Sequence, residues 1–465
     1  MSRSITIVFF LIALDTFNGA AGTRIVSTAA EVSAAIAGAV PGDSILVRGG
    51  TYAFSQTINF SASGTAAQRC VFAVSPGDQR PLFNLSGSTG QGSKLNGSYW
   101  QIKGIRIQNA AGNGMNIHGS NNIVEYCDFF ECGNTGCQIE GGASNNQILN
   151  CDSYYNTDVS QGNADGFAPK MDIGSGNILR GCRSWQNSDD GYDGYLRGAD
   201  KVTTTYENCW CIRNGYLKNG SASSGNGNGF KMGGSDDKTL QHHAILKNCL
   251  SVGNRVKGFD QNNNKGSMTL YNCSAYSNGT NYKIDASILA SGNTLKVSNC
   301  ISAGSGAVSL TGGTITTCSW TSGLSAATAD FLSVDTAGIT GPRQADGSLP
   351  NVLFLHLAAG SKLIDAGTVI SDMPYAGSKP DLGCFETGLT GVFIQSGLLG
   401  GTGGGSTVSY VPVFSGTAKR QVLHTDISHA TIFDMTGRKI TGPGYNNPIA
   451  AMRDLGSGRY LFRTR

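Results

Sequence analysis

From about residue 100 to 310 the chain repeats one short phrase: an apolar stretch, often Asn-Cys, then Asn five residues past the Cys. ILNCDSYYN carries Cys151 and Asn156, and ILRGCRSWQN carries Cys182 and Asn187. Cys209 with Asn214, Cys249 with Asn254, and Cys273 with Asn278 follow. Cys127 opens the series, with Cys132 in the Asn place, and Cys300 closes it. The cysteine spacings are 24, 31, 27, 40, 24 and 27 residues. A period of this size, with strand-like alternation and a polar residue at a fixed offset, predicts a parallel β-solenoid. Each repeat is one coil, and it can bury its inner face only against its neighbours.

Composition agrees. The chain holds 66 Gly but only 11 Pro, and 14% of it is charged. That suits many short strands joined by tight turns. The 13 cysteines are an odd number. Stacked in a core as small apolar residues they need no bridges; a set of disulfides is the alternative reading. The net charge of +3, with no long run of one sign, gives no sign of nucleic acid or of a polybasic membrane anchor.

The second half of each coil repeats as polar-Gly-apolar-X. The copies start at Asn113, Thr135, Asp165, Asp190, Asn228 and Lys257. The large third residue points in and its neighbours point out, so Tyr192 is read as core. Asp165 and Asp190 then share one position on consecutive coils, as do Asp193, Lys231 and Asp260. Coils stack ~4.8 Å apart. Asp165, Asp190 and Asp193 therefore converge on one outer strip, with Asp189 at its edge and Lys231 one coil above Asp193. The excess of the longest coil, Leu217–Asn226, is a loop placed to wall this strip.

Carboxylates this close repel one another unless neutralised. An all-oxygen set spread over two coils suits Ca²⁺. It does not suit Zn²⁺, because no His/Cys cluster accompanies it. A purely structural cation would gain nothing from a neighbouring ammonium group, whereas a lysine beside a cation can serve as a base. That pairing suits removal of a proton α to a carboxylate, which on a uronic-acid polymer is the C5 proton. Loss of the C4 glycosidic oxygen then completes a β-elimination. The rival chemistry is hydrolysis by paired carboxylates, which needs one of them protonated. A non-catalytic β-helix that binds polysaccharide or acts as an adhesin is the reading from another class.

At these residues the chain resembles the pectate lyases of polysaccharide lyase family nine. The resemblance rests on NADGFAPK (Asn163–Lys170), GCRSWQNSDDGYD (Gly181–Asp193), NGFKMGG (Asn228–Gly234) and GFDQNNN (Gly258–Asn264). It implies a right-handed parallel β-helix over residues 23–385. It places calcium ligands at Asp165, Asp189, Asp190 and Asp193, and the Brønsted base at Lys231. It also implies an acidic plant cell-wall polysaccharide as partner, either homogalacturonan or rhamnogalacturonan, since the family's rhamnogalacturonan lyases share these motifs. Lys170, Arg255 and Lys257 are candidate contacts for further substrate carboxylates. A monomer is expected. The pair His242-His243 reads as surface or turn.

The ends carry further expectations. Residues 1–22 read as a signal peptide: Arg3, the apolar run Ile5–Ala13, then small residues. The apolar run is too short to span a bilayer, so a secreted protein is expected. Ala30–Ala39 reads as an N-terminal capping helix, and Asp330–Glu386 as a closing segment. A Gly-rich linker (386–406) leads to a small C-terminal β-module (407–465). ATIFDMTGRKI and LGSGRYLFRTR form its strands, similar to sorting or surface-attachment domains; a carbohydrate-binding or spacer module is the alternative.

Overall fold

The computed structural model describes residues 21–321 and 323–389, and the strands Thr431–Asp434 and Tyr460–Arg463. The expected signal peptide up to residue 20, most of the expected linker and the rest of the expected C-terminal module lie outside the described residues. The described chain winds into a parallel β-helix with three faces, one sheet of twelve strands and two of ten. Each strand pairs with its counterpart on the next coil, as Tyr192 with Phe230 and Asp193 with Lys231. Among the described residues no helix is long and apolar enough to cross a membrane.

Backbone conformation at two corners explains the repeated phrase. The residue before each column cysteine has positive φ: Asn150 51°, Asn208 52°, Asn248 52° and Asn272 50°. Asn tolerates this region better than most residues, because its short polar side chain can hydrogen-bond locally. The next residue turns inward, and there the sequence puts Cys. Thirteen cysteines are free and all but Cys384 are buried, as the stacked-core reading expects. The second corner works alike. Gln186 and Arg213 have φ of 48° and 52°, and the following Asn enters the interior. Asn156, Asn187, Asn214 and Asn254 each donate from Nδ2 to the Oδ1 one coil on, at 2.8, 2.9, 3.0 and 2.9 Å. Cys132 sits at the foot of this ladder, where its backbone N–H donates to Asn156 Oδ1 at 3.0 Å. A shorter second ladder, Asn122, Asn146 and Asn177, is knit in the same way; the sequence reading missed it.

The third face carries the aspartate strip. Its inward residues Phe167, Tyr192, Phe230, Phe259 and Tyr282 stack with centroids 5.4, 4.5, 5.2 and 4.9 Å apart. Tyr192 is fully enclosed and its hydroxyl donates to Cys182 O at 2.8 Å. A fully buried ring contributes about 2–3 kcal/mol, so this column rigidly seats the outward residues beside each ring. The glycine preceding each of the first four rings is also required; Asn281 stands before Tyr282. A Cβ on Gly191 would lie 2.7 Å from Asn214 Nδ2 and 2.9 Å from Cys211 Cβ, where the strand presses against the asparagine ladder.

The ends are covered. The helix Ala29–Ala37 starts with a capping box, Thr28 and Glu31, and buries Val32, Ala35 and Ile36, close to the expected range. The segment after residue 325 does more than close the far end. Phe331, Leu349, Phe354 and Leu357 form a second apolar cluster with Trp185, Trp210, Leu250 and Ile301 of one ten-stranded sheet. Arg343 reaches back to the buried Asp152 at 2.7 Å, where Arg183 also pairs at 2.8 Å. In the C-terminal module the two expected strands pair antiparallel.

Candidate active site

Asp165, Asp190 and Asp193 stand on consecutive coils of the third face, and all three are buried. Each offers one carboxylate oxygen, and these oxygens lie within 4.8 Å of one another. The column is tied coil to coil. Asp165 Oδ1 accepts the Asp190 N–H at 3.1 Å, and Asp190 Oδ1 accepts the Asn228 N–H at 2.8 Å. Asp193 Oδ1 accepts the Tyr195 N–H at 3.0 Å. Asp189 is not one of this oxygen triad. Its Oδ1 accepts the Asn226 N–H from the long loop, so the expected wall covers it.

Two lysines close the cluster. Lys231 Nζ lies 3.1 Å from Asp190 and 3.3 Å from Asp193. Lys170 Nζ lies 2.7 Å from Asp165 and 3.4 Å from Asp193. Lys170 was expected to face substrate; instead it is 7% exposed and turned onto the aspartates. Its N–H still pairs with Ile139 O at 3.1 Å, so strand alternation from the inward Phe167 sets it on the aspartate face. Arg255 donates to Gly225 O of the loop and is half-buried. Lys257 pairs with Asp260 at 2.9 Å. Lys231 is thus brought to the acids as expected, and Arg255 and Lys257 are held beside them by local partners.

Protonation follows the charge count. Four carboxylates, Asp165, Asp189, Asp190 and Asp193, face two ammonium groups, which leaves two negative charges unbalanced. Burial and the neighbouring charges of Asp190 and Asp165 push Asp189 up to about 9. Burial pushes Asp190 up to about 7 against the pull of Lys231. Burial raises Asp165 too, despite Lys170. Asp193 is held below the usual range, because Lys231 and Lys170 outweigh its burial. Burial works against the charged form of Lys231, yet Asp193, Asp190, Asp165 and Asp189 hold it well above the ordinary lysine range.

The donors fit a hard divalent cation. They are all oxygens, and their two surplus charges match its own. Ser188 Oγ and Asn228 Oδ1 are buried without a hydrogen-bond partner, and Asp190 Oδ2 is met by Lys231 Nζ alone, at 3.1 Å. Orphaned buried oxygens cost about 1–3 kcal/mol each, and a cation would satisfy such groups.

His242 corrects the sequence reading. It is neither surface nor turn but 1% exposed, on the strand His242–Lys247 behind the site. Its Nδ1 lies 2.7 Å from Gly194 O, so that nitrogen carries the proton, and Nε2 accepts from Thr204 Oγ1 at 2.8 Å. Gly194 follows Asp193, so His242 fixes the backbone of the site. The polar run before it, DDKTLQ, hid the strand in the sequence. Burial lowers its pKa to about 4. The folded state thus resists protonation while the unfolded chain titrates near 6.5. Stability is complete above pH 6.5 and falls as pH drops towards about 4, by roughly 3 kcal/mol over the window. Denaturant unfolding at pH 8 and pH 5 should show a smaller loss in His242→Gln than in the unaltered protein. Equal losses would show that His242 does not carry this dependence.

Residues 10–299 match the family described as Pel9A-like, right handed beta helix region. Pectate lyase L of Dickeya dadantii (strain 3937) is 39% identical over 369 residues, spanning 76% of this chain and 85% of that protein. Pectate lyase L of Paenibacillus polymyxa (strain SC2) is 35% identical over 72% of this chain and 79% of its own. The crystal structure of pectate lyase Pel9A superposes with a TM-score of 0.70 at 38% identity, covering 76% of this chain and 90% of that one. A rhamnogalacturonan lyase structure matches with a TM-score of 0.60 at 26% identity, over 69% and 90%. The chain belongs to the Pel9A-like right-handed β-helix family, polysaccharide lyase family nine, and is a polysaccharide lyase.

Proposed function

We propose that the chain is a secreted pectate lyase that cleaves polygalacturonate by calcium-assisted β-elimination. The observation that carries this is Lys231 seated within 3.3 Å of two of three converging aspartates. Asp165, Asp190 and Asp193 would hold Ca²⁺, with Asp189 at the edge. A bound cation supplies Lewis-acid polarisation of a substrate carboxylate and so acidifies its C5 proton. Lys231 Nζ takes that proton. The C5 electron pair forms the C4–C5 double bond, and the C4–O bond breaks onto the glycosidic oxygen, which leaves and gains a proton from solvent. Lys231 can shed its own proton only when Asp190 and Asp193 are engaged by another partner, because their charges hold the ammonium form. Arg255 and Lys257 beside the cluster offer cations for further uronate carboxylates.

The test is ultraviolet absorbance of the conjugated 4,5-unsaturated product, on polygalacturonate and on rhamnogalacturonan, each with calcium and with chelator. A calcium-dependent rise on polygalacturonate is expected. A rise on rhamnogalacturonan alone would move the substrate to that polymer, and saturated products would mean hydrolysis. Export by residues 1–22 and surface attachment through the C-terminal module belong to the same proposal; both would be read by fractionating a culture that expresses the full chain.

A further inference from the structure

Among the described residues Lys231 Nζ meets two carboxylates and one aromatic ring; the carboxylates are Asp190 and Asp193. The ring is that of Tyr195, whose centroid lies 5.3 Å from Nζ. An ammonium over an aromatic face is attracted by the ring quadrupole. The two kinds of contact have different fates. Asp190 and Asp193 are the groups a metal cation would draw on, whereas the ring offers it no ligand atom; the ring is shared only with Arg197, whose Cζ lies 5.9 Å from its centroid.

Tyr195 is also unusually fixed for a half-exposed residue. Its N–H donates to Asp193 Oδ1 at 3.0 Å. Its carbonyl accepts the Met171 N–H at 2.7 Å. Its hydroxyl donates to Asp236 Oδ1 at 2.6 Å, and Asp236 is held in turn by Arg197 Nε at 2.9 Å. Asp236 lies on the turn after Ser235, which bridges to Leu196, the residue after Tyr195. Both ends of the side chain are therefore anchored, and the ring cannot swing away from the ammonium. Apolar packing does not explain the arrangement, because Tyr195 stands outside both apolar clusters of the core.

We propose that Tyr195 is a positioning residue for Lys231. Its ring holds Nζ over the reacting carbon when the aspartates are engaged by a cation. This rests on Lys231 being the base. A restraint on a reacting group acts on turnover and leaves substrate binding nearly unchanged, and a cation–π contact between a buried ammonium and a half-exposed ring corresponds to about tenfold.

The experiment measures kcat and KM on polygalacturonate in saturating calcium chloride for Tyr195→Phe and Tyr195→Leu. Calorimetric titration with calcium chloride runs alongside. Tyr195→Leu should lose about tenfold in kcat with KM within about threefold and calcium affinity unchanged. Tyr195→Phe, which keeps the ring, should recover most of that loss. Unchanged kcat in Tyr195→Leu, or Phe as poor as Leu, overturns the proposal. A fall in calcium affinity that accounts for the lost rate also overturns it. If Tyr195→Leu does not fold, Asp236→Ala on the exposed turn releases the same ring; its kcat should fall about two- to threefold at constant KM, and no change overturns the proposal. Lys231→Ala separates the two levels. If that variant stays active, the base assignment fails. If it is inactive while Tyr195→Leu is fully active, only the role of Tyr195 fails.

Discussion

Lys231→Ala should abolish formation of unsaturated product, lowering kcat by about 10³-fold or more, within the range seen when a positioned base is lost. Calcium binding should survive or tighten, because removing one ammonium leaves the aspartates more negative. Lys231→Arg makes the sharper test. A guanidinium can keep the pairing with Asp190 and Asp193, but it does not lose its proton in proteins. That variant should fold, bind calcium and remain inactive. Lys170 is the necessary control, since it is equally buried and also ion-paired. Its tie to Asp165 at 2.7 Å is closer than either tie of Lys231, 3.1 and 3.3 Å. On that geometry Lys170 is expected to act as a fixed counter-charge, with Lys231 the freer amine. Lys170→Met should weaken the site without making it inactive. An inactive Lys170→Met beside an active Lys231→Ala would exchange the two roles.

The register of the site was legible because the polar-Gly-aromatic phrase counts coils. Asp193 pairs with Lys231 and Lys231 with Asp260, as that count requires. The cysteine column was legible because the positive-φ corner before it is mostly Asn or Gly, and the asparagine column because its members must hydrogen-bond one another, although Tyr155, Gln186, Arg213, Gly253 and Ser277 all serve as the corner before it. What escaped has no period. Lys170 lies two residues past the repeated phrase that begins at Asp165, and its counterparts on the other coils carry no lysine to mark the position. Arg343 meets Asp152 across 191 residues, a contact made by a segment outside the repeat. His242 begins a strand in a stretch of polar residues, and its role depends on Gly194, which is 48 residues away. Asp189 was placed at the edge of the strip, and the loop that covers it was expected. The hydrogen bond from Asn226 N–H to its carboxylate was not, because a loop leaves no register to count.

Removing calcium should stop product formation completely, and added calcium chloride should restore it. This follows from the charge count at the site. With two ammonium groups against four carboxylates, protons must occupy the surplus, as the raised pKa values of Asp189 and Asp190 express. Lys231 is then locked in its charged form and cannot accept a proton. Asp190→Asn tests the same balance from inside the protein. The amide is isosteric, and its oxygen can still accept the Asn228 N–H, now made at 2.8 Å, so the coil should hold its shape. It removes one charge and one strong ligand oxygen. Calcium affinity should fall by about 100-fold or more, beyond the 10–100-fold typical of losing an outer partner. The rise in unfolding temperature that calcium gives the unaltered protein should shrink in step. Activity should then return only partly at high calcium, because Lys231 keeps Asp193 as its partner at 3.3 Å. A hydrolase using the aspartates as acid and base would behave oppositely: chelation would leave it active and its products would be saturated.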